Sequence, residues 1–202
     1  MSEHPIDYLY FGPLLMKSNI TDEFRLELLR RANRLEQKYN HKLAGHIENE
    51  YEFTKEDKYY FIEKIMPYTD RYVDDLNKHM NFQTKKKSCE LNGLWINYMK
   101  AGEFNPPHVH GDSISFVIYL DVPEEIRQES INYRATHEGP GTIDFMYGES
   151  IPDVRNHYNV NPKTGDLFLF NAMLKHWVAP FKSNKTRISM SGNFLLKWYY
   201  LK

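Results

Sequence analysis

Two periodicities divide the chain. Between residues 21 and 80 apolar side chains recur every three or four positions, and from about residue 90 they alternate or run continuously. The first spacing is one buried face of an α-helix; the second belongs to strands with one or both faces covered. Thr21 reads as an N-cap before Asp22 and Glu23, whose charges suit the amino end of a helix dipole. Phe24, Leu28, Ala32, Leu35 and Tyr39 then form one stripe. A second helix starts at Thr54, with Asp57 three residues on as a weak capping box. Its stripe of Phe61, Ile62 and Ile65 resumes after Pro67 as Val73, Leu76 and Met80, and the proline is expected to kink or divide it.

The later period predicts strands over 91–99, 114–122, 142–147, 157–160, 167–170, 176–180 and 186–196. Turn signals such as Gly139-Pro140-Gly141 and Thr164-Gly165 separate most of them. Short strands so spaced make a sandwich or barrel, and a jelly roll has room for them. The expected architecture is one domain, mainly β with flanking helices: a helical scaffold over 1–88 and a β core over 89–202. Segment 124–141 is long, polar and without pattern, and reads either as mobile or as a lid over a site.

Lys and Arg total 26 against 27 Asp and Glu, a net charge of −1, so no global field would draw nucleic acid or an anionic membrane. The run Lys85-Lys86-Lys87 reads as a solvated loop. A single cysteine, Cys89, excludes an intrachain disulfide and suits a reducing compartment. With no secretion signal in residues 1–10 and no apolar stretch of membrane length, the expected location is cytoplasmic.

Three histidines carry the candidate chemistry. His108 and His110 lie in Asn105-Pro106-Pro107-His108-Val109-His110-Gly111-Asp112, just before the apolar run 115–120. Side chains two apart on an extended chain share a face, so His110 and Asp112 could offer one nitrogen and one oxygen to a metal, with His176 arriving from a later strand. Two imidazoles and one carboxylate form the facial triad of non-haem Fe(II) sites, which leaves positions open for a cosubstrate and dioxygen. His108 has the same parity as His110 and Asp112, so a site of three histidines is the alternative, with Asp112 behind it. Tyr119 has the opposite parity and needs a bend near 111–113 to turn inward. Arg187, Ser189, Ser191 and Asn193 share one face of a strand; judged alone, such a face is solvated. Asn97 and Tyr98 are weaker candidates for pocket lining, and His137 and His157 read as ordinary histidines.

Taken in order, Pro107-His108-Val109-His110-Gly111-Asp112, Phe116-Val117-Ile118-Tyr119-Leu120, Gly165-Asp166-Leu167-Phe168-Leu169-Phe170, His176 and Arg187-Ile188-Ser189 resemble the 2-oxoglutarate/Fe(II)-dependent dioxygenases over roughly 91–196. Within that superfamily the chain is most similar to a small group from bacteria and phages with a His-x-His element before a Tyr-Leu strand, and more distantly to prolyl hydroxylases. The resemblance implies a double-stranded β-helix (cupin-like) and iron on His110, Asp112 and His176. It also implies 2-oxoglutarate as cosubstrate, its distal carboxylate gripped by Arg187 with help from Ser189 and Tyr119. The implied reaction hydroxylates a C–H bond of a small molecule or a protein side chain such as proline, using dioxygen and releasing succinate and CO2, with 124–141 as a substrate-side flap. A cupin-like barrel that binds metal or ligand without oxygenase activity is the other reading, and it would have no need for Arg187 as a carboxylate clamp.

Overall fold

The computed structural model describes residues 12–81, 84–135 and 139–200, with side chains omitted at 84–87 and 198–200. His137, the side chains of Lys85, Lys86 and Lys87, and the leader reading of residues 1–10 therefore lie outside the described residues. The elements follow in the order β1 (Leu15–Asn19), α1 (Asp22–Ala32), β2 (Glu50–Glu52), α2 (Lys55–Met80), β3 (Thr84–Met99), β4 (Asn105–His108), β5 (Ile114–Asp121), α3 (Glu124–Asn132), β6 (Ile143–Met146), β7 (His157–Val160), β8 (Asp166–Asn171), β9 (Lys175–Val178) and β10 (Arg187–Tyr200). They build a six-stranded sheet in the order β1-β8-β5-β10-β3-β2 and a four-stranded sheet in the order β4-β9-β6-β7. Every pairing is antiparallel. Val117, Tyr119, Phe168 and Phe170 of the larger sheet pack with Ile143 and Phe145 of the smaller one, so the two sheets face each other as a double-stranded β-helix.

The two helices cover the outer face of the larger sheet. Thr21 caps α1 by accepting from Phe24 N, and Thr54 caps α2 by accepting from Asp57 N. Phe24, Leu28 and Ala32 of α1 join Phe61, Ile65, Tyr72 and Val73 of α2 against Ile96, Phe116, Ile118, Met190 and Phe194 of the sheet. Asp57, buried between the helices, accepts from Arg31 at 2.9 Å and Arg34 at 2.8 Å and so ties α1 to α2. Pro67 does not divide the helix: α2 runs 26 residues through it. A proline inside a helix costs about 3 kcal/mol, whereas fully burying one large apolar side chain returns ~1.5–3 kcal/mol, so the four buried on α2 outweigh it.

Three strands lie where no strand was expected. β1 and β2, both within 1–88, extend the larger sheet, so that segment is not only a helical scaffold. β4 contains Pro106 and Pro107, residues that give no strand signal, yet it is an edge strand, where a missing N–H costs nothing. Segment 124–141 also differs from expectation. It begins with α3, anchored by buried Ile126 against Met99 and Phe181, and Glu129 accepts from the backbone of Lys182 and Ser183. The described part packs at the end of the barrel where β10 begins, and its last residue, Gly141, accepts from Arg187 through its carbonyl.

β10 sits between β5 and β3 rather than at an edge. Its polar face therefore cannot be solvated. Arg187, Ser189 and Asn193 are buried, while Met190 on the opposite face packs beneath the helices.

Candidate active site

His108 and His176 are direct cross-strand partners on β4 and β9, and their ring centroids stand 4.2 Å apart. His110 follows just beyond β4, where its backbone N–H donates to Ala172 O at 2.9 Å; its ring lies 4.9 Å from that of His108 and 5.2 Å from that of His176. One ligand nitrogen from each of the three falls within 4.8 Å of the others. The Nδ1 of His108 donates to Pro106 O at 2.7 Å, and that of His176 to Leu174 O at 2.8 Å. A carbonyl only accepts, so both rings carry their proton on Nδ1 and present a bare Nε2, the arrangement that orients histidine ligands. Burial lowers the pKa of all three: that of His108 in direction, that of His110 to about 4 and that of His176 to about 3, with neighbouring histidines adding to the last two. Three neutral imidazoles converge from two elements.

Asp112 does not join them. Its carboxylate accepts from Asn92 Nδ2 at 2.8 Å, and its charge acts on His110 against the effect of burial. The reason is topological. After β4 the chain leaves the smaller sheet, bends at 111–113 and enters β5 of the larger one, so strand parity counted from His110 stops holding. The same bend turns Tyr119 inward, as the reversed parity required.

A cavity runs from these rings along the inner face of the larger sheet, past Trp95, Asn97, Ser115, Tyr119 and Ser189 to Arg187. Cross-strand register sets Asn97, Ser189 and Tyr119 in one row over β3, β10 and β5. Arg187 is only 2% exposed, and its guanidinium donates to Gly141 O and to Met99 Sδ, both at 2.7 Å. Sulfur is a weak acceptor. No ion pair to Arg187 occurs among the described residues, and burial lowers its pKa. Arg187 Nε, Tyr119 OH, Asn97 Oδ1 and Asn105 Oδ1 are buried without a hydrogen-bond partner among the described residues, and all four residues line this cavity. Next to Asn97 in register, Glu50 is buried on β2, where it accepts from Asn40 Nδ2 at 3.1 Å; burial and the charge of Glu103 raise its pKa to about 8.

Residues 93–193 match the family model described as "Putative 2OG-Fe(II) oxygenase". The chain belongs to this family. The oxygenase is similar in fold to a prolyl-4-hydroxylase from Pseudomonas putida, with 14% identity, coverage of 91% of this chain and 92% of that one, and a TM-score of 0.54. A viral collagen prolyl hydroxylase from Paramecium Bursaria Chlorella virus-1, solved with 2-oxoglutarate, aligns at 15% identity over 89% and 94% of the two chains with a TM-score of 0.56. HygX from Streptomyces hygroscopicus, with nickel and 2-oxoglutarate bound, aligns at 11% identity over 91% and 82% with a TM-score of 0.56. No curated protein matches the sequence. As a member of this family the oxygenase uses iron and 2-oxoglutarate. Its residues fit both: three bare imidazole nitrogens suit a borderline cation, and unpartnered N–H and O–H donors at the opposite end suit a carboxylate.

Asn105, Ser115 and Asn193 were missed from sequence as cavity residues. Asn193 and Ser115 are joined across β10 and β5 at 2.7 Å, and the available signal was the polar face of β10 continued onto its neighbour. Tyr98 faces the other way, into the core under the helices. His157 pairs with Asp144 at 2.9 Å and stacks on Trp177. No helix among the described residues is long and apolar enough to cross a membrane.

Proposed function

We propose that this oxygenase hydroxylates a C–H bond of an organic substrate, small or peptidyl, with 2-oxoglutarate converted to succinate and CO2. His108, His110 and His176 serve as the protein ligands of iron, in place of the set with Asp112. Arg187 holds the distal carboxylate of the cosubstrate, with Tyr119 and Ser189 donating hydroxyls. When bound, iron and 2-oxoglutarate supply the oxidising chemistry. The chain's own part is to orient and to keep the site dry. The backbone carbonyls of Pro106 and Leu174 fix two imidazoles in the tautomer that leaves Nε2 bare. Burial keeps all three rings neutral near pH 7. Ser191, the register partner of Trp95 beside His110, is four residue steps along the strand from Arg187, which is roughly 13 Å. An arginine side chain and an extended five-carbon dicarboxylate together can bridge that span.

The observation that carries this reading is the buried guanidinium, with no carboxylate partner among the described residues, in a cavity that three imidazoles also line. An isolated buried charge is costly unless an anion meets it. The test is turnover with Fe(II), 2-oxoglutarate and 18O2 against a panel of small molecules and proline-containing peptides, followed by mass spectrometry. One 18O atom in the product for each succinate is expected. Succinate formed in substrate-dependent fashion without oxygen insertion would overturn hydroxylation.

A further inference from the structure

A second cavity among the described residues is larger than the one lined by the histidines. About 330 Å³ in volume, it lies between β1, an edge strand of the larger sheet, and β7, an edge strand of the smaller one. Leu14, Leu15, Phe145, Phe168, Leu174 and Tyr147 make its apolar wall. Its size is that of a small organic ligand's site rather than of a packing defect. Lys17 and Arg155 stand among the lining residues, and no Asp or Glu does. Lys17 already pairs with Asp166 at 3.0 Å. Arg155 pairs with no carboxylate among the described residues; it is exposed at the chamber's lining, and its guanidinium lies 4.9 Å over the Tyr158 ring.

This chamber is one aromatic layer from the metal site. Phe145 lines it and packs against His176 with ring centroids 6.4 Å apart; Phe170, 5.0 Å from Phe145, stands 4.8 Å from the same imidazole. Leu174 also lines it, and the Leu174 carbonyl is the group that holds His176. Next to Leu174 in sequence, Met173 is 64% exposed, and Val109, between His108 and His110 in sequence, is 44% exposed.

We propose that the side chamber is the anchoring site for the substrate, and that it takes an organic anion: an apolar chain or ring whose carboxylate, or a similar anionic group, meets Arg155. This assignment rests on the histidine cavity being the catalytic one. The anchored part is not the part that reacts, because Phe145 and Phe170 stand between it and the imidazoles. The reacting carbon belongs to a portion of the substrate that passes over Met173 and Val109. The chain thus selects substrates long enough to occupy both places.

Decanoate titrated into the metal-free full-length protein by calorimetry tests this, with decylamine as the counter-probe of opposite charge. Decanoate is expected to bind with decylamine at least about 10-fold weaker, since both share the chain and differ only at the charged end. Arg155→Ala should weaken decanoate about 3- to 5-fold, the scale of a partly exposed ion pair. Leu14→Trp, which fills the chamber, should weaken it by about 20-fold or more. Because that variant could fold poorly, Tyr158→Ala, a change at a half-exposed ring, gives a second reading and should also weaken binding. Saturating Mn(II) and 2-oxoglutarate should leave the decanoate affinity within about twofold, because the two cavities are separate. No decanoate binding, equal binding of decylamine, or affinity indifferent to Arg155→Ala and Tyr158→Ala would overturn the assignment. Competition by 2-oxoglutarate would do the same, placing the probe in the cosubstrate cavity. Failure of Mn(II) and 2-oxoglutarate to bind, with decanoate binding intact, would instead count against the proposed function alone.

Discussion

Replacing Arg187 by Met should move two measurements in opposite directions. In the metal-free protein the guanidinium is a buried charge without an ion-pair partner among the described residues, hydrogen-bonded to Gly141 O and the weak acceptor Met99 Sδ and lying over the Tyr119 and Phe181 rings. Exchanging a buried ionic group for an apolar one of similar length typically gains ~1–4 kcal/mol. Against that, Gly141 O loses its donor, at ~1–3 kcal/mol. A net gain of about 1 kcal/mol, in a chain of this size, raises Tm by ~2–4 °C. Binding of 2-oxoglutarate should respond the other way. Loss of the buried charged partner of a carboxylate costs ~2–5 kcal/mol, or roughly 30- to 5000-fold in Kd. Scanning fluorimetry of the metal-free variant reads the first effect, and calorimetric titration of 2-oxoglutarate into Mn(II)-loaded protein under nitrogen reads the second. A Kd within about threefold of wild type would refute the clamp, and a marked fall in metal-free Tm would refute the claim that the charge is there for a ligand rather than for the fold.

Three further outcomes are expected. His108→Ala should weaken Mn(II) binding by about 100-fold or more while Asp112→Asn changes it less than about threefold, as read by competition with a fluorescent chelator; the reverse order would restore Asp112 to the shell. Tyr119→Phe removes a buried hydroxyl that has no hydrogen-bond partner among the described residues, so metal-free Tm should hold or rise slightly while 2-oxoglutarate binds about 3- to 10-fold more weakly; an unchanged affinity would take Tyr119 out of the site. The stability of the metal-free protein should peak near pH 6.5. His110 and His176 stay neutral in the fold down to about 4 and about 3 but gain protons near 6.5 when unfolded, so stability is lost as pH falls below 6.5. Glu50, with its pKa raised to about 8, keeps its proton in the fold while the unfolded chain has lost it above about 4.5, so its contribution fades as pH rises toward 8. Each proton is worth about 1.4 kcal/mol per pH unit, so two or more histidines outweigh one glutamate below 6.5 and Glu50 acts alone above it. Urea unfolding from pH 5 to 8.5 checks this; stability that climbs steadily through pH 8 would contradict the Glu50 part.

The strands that read clearly in the sequence are those covered on both faces. β5 and β8 are buried almost throughout, and continuous apolar runs announce them. β1, β2 and β4 are short or half-exposed, and their pairing is decided by long-range partners such as Phe170 and His176 rather than by their own residues. The histidine pair, His176 and Arg187 were all visible in the sequence, since residue type and order suffice to nominate them. Which neighbours cluster with His176 was not, because parity counted through His110 to Asp112 assumes one continuous strand and the chain changes sheets there. The polar face of β10 misled for a related reason: alternation marks two different environments but does not say that the polar one is water, and here it is a cavity. Segment 124–141 hid α3 because a helix held by one buried isoleucine has almost no periodic signal.

The most direct measurement is an anaerobic crystal structure of the protein loaded with Mn(II) and 2-oxoglutarate. Nitrogens of His108, His110 and His176 should all contact the ion, with the distal carboxylate of the cosubstrate on Arg187 and Asp112 still bonded to Asn92. An ion held by a carboxylate oxygen of Asp112 with His108 turned away, or a 2-oxoglutarate bound out of reach of Arg187, would contradict the account.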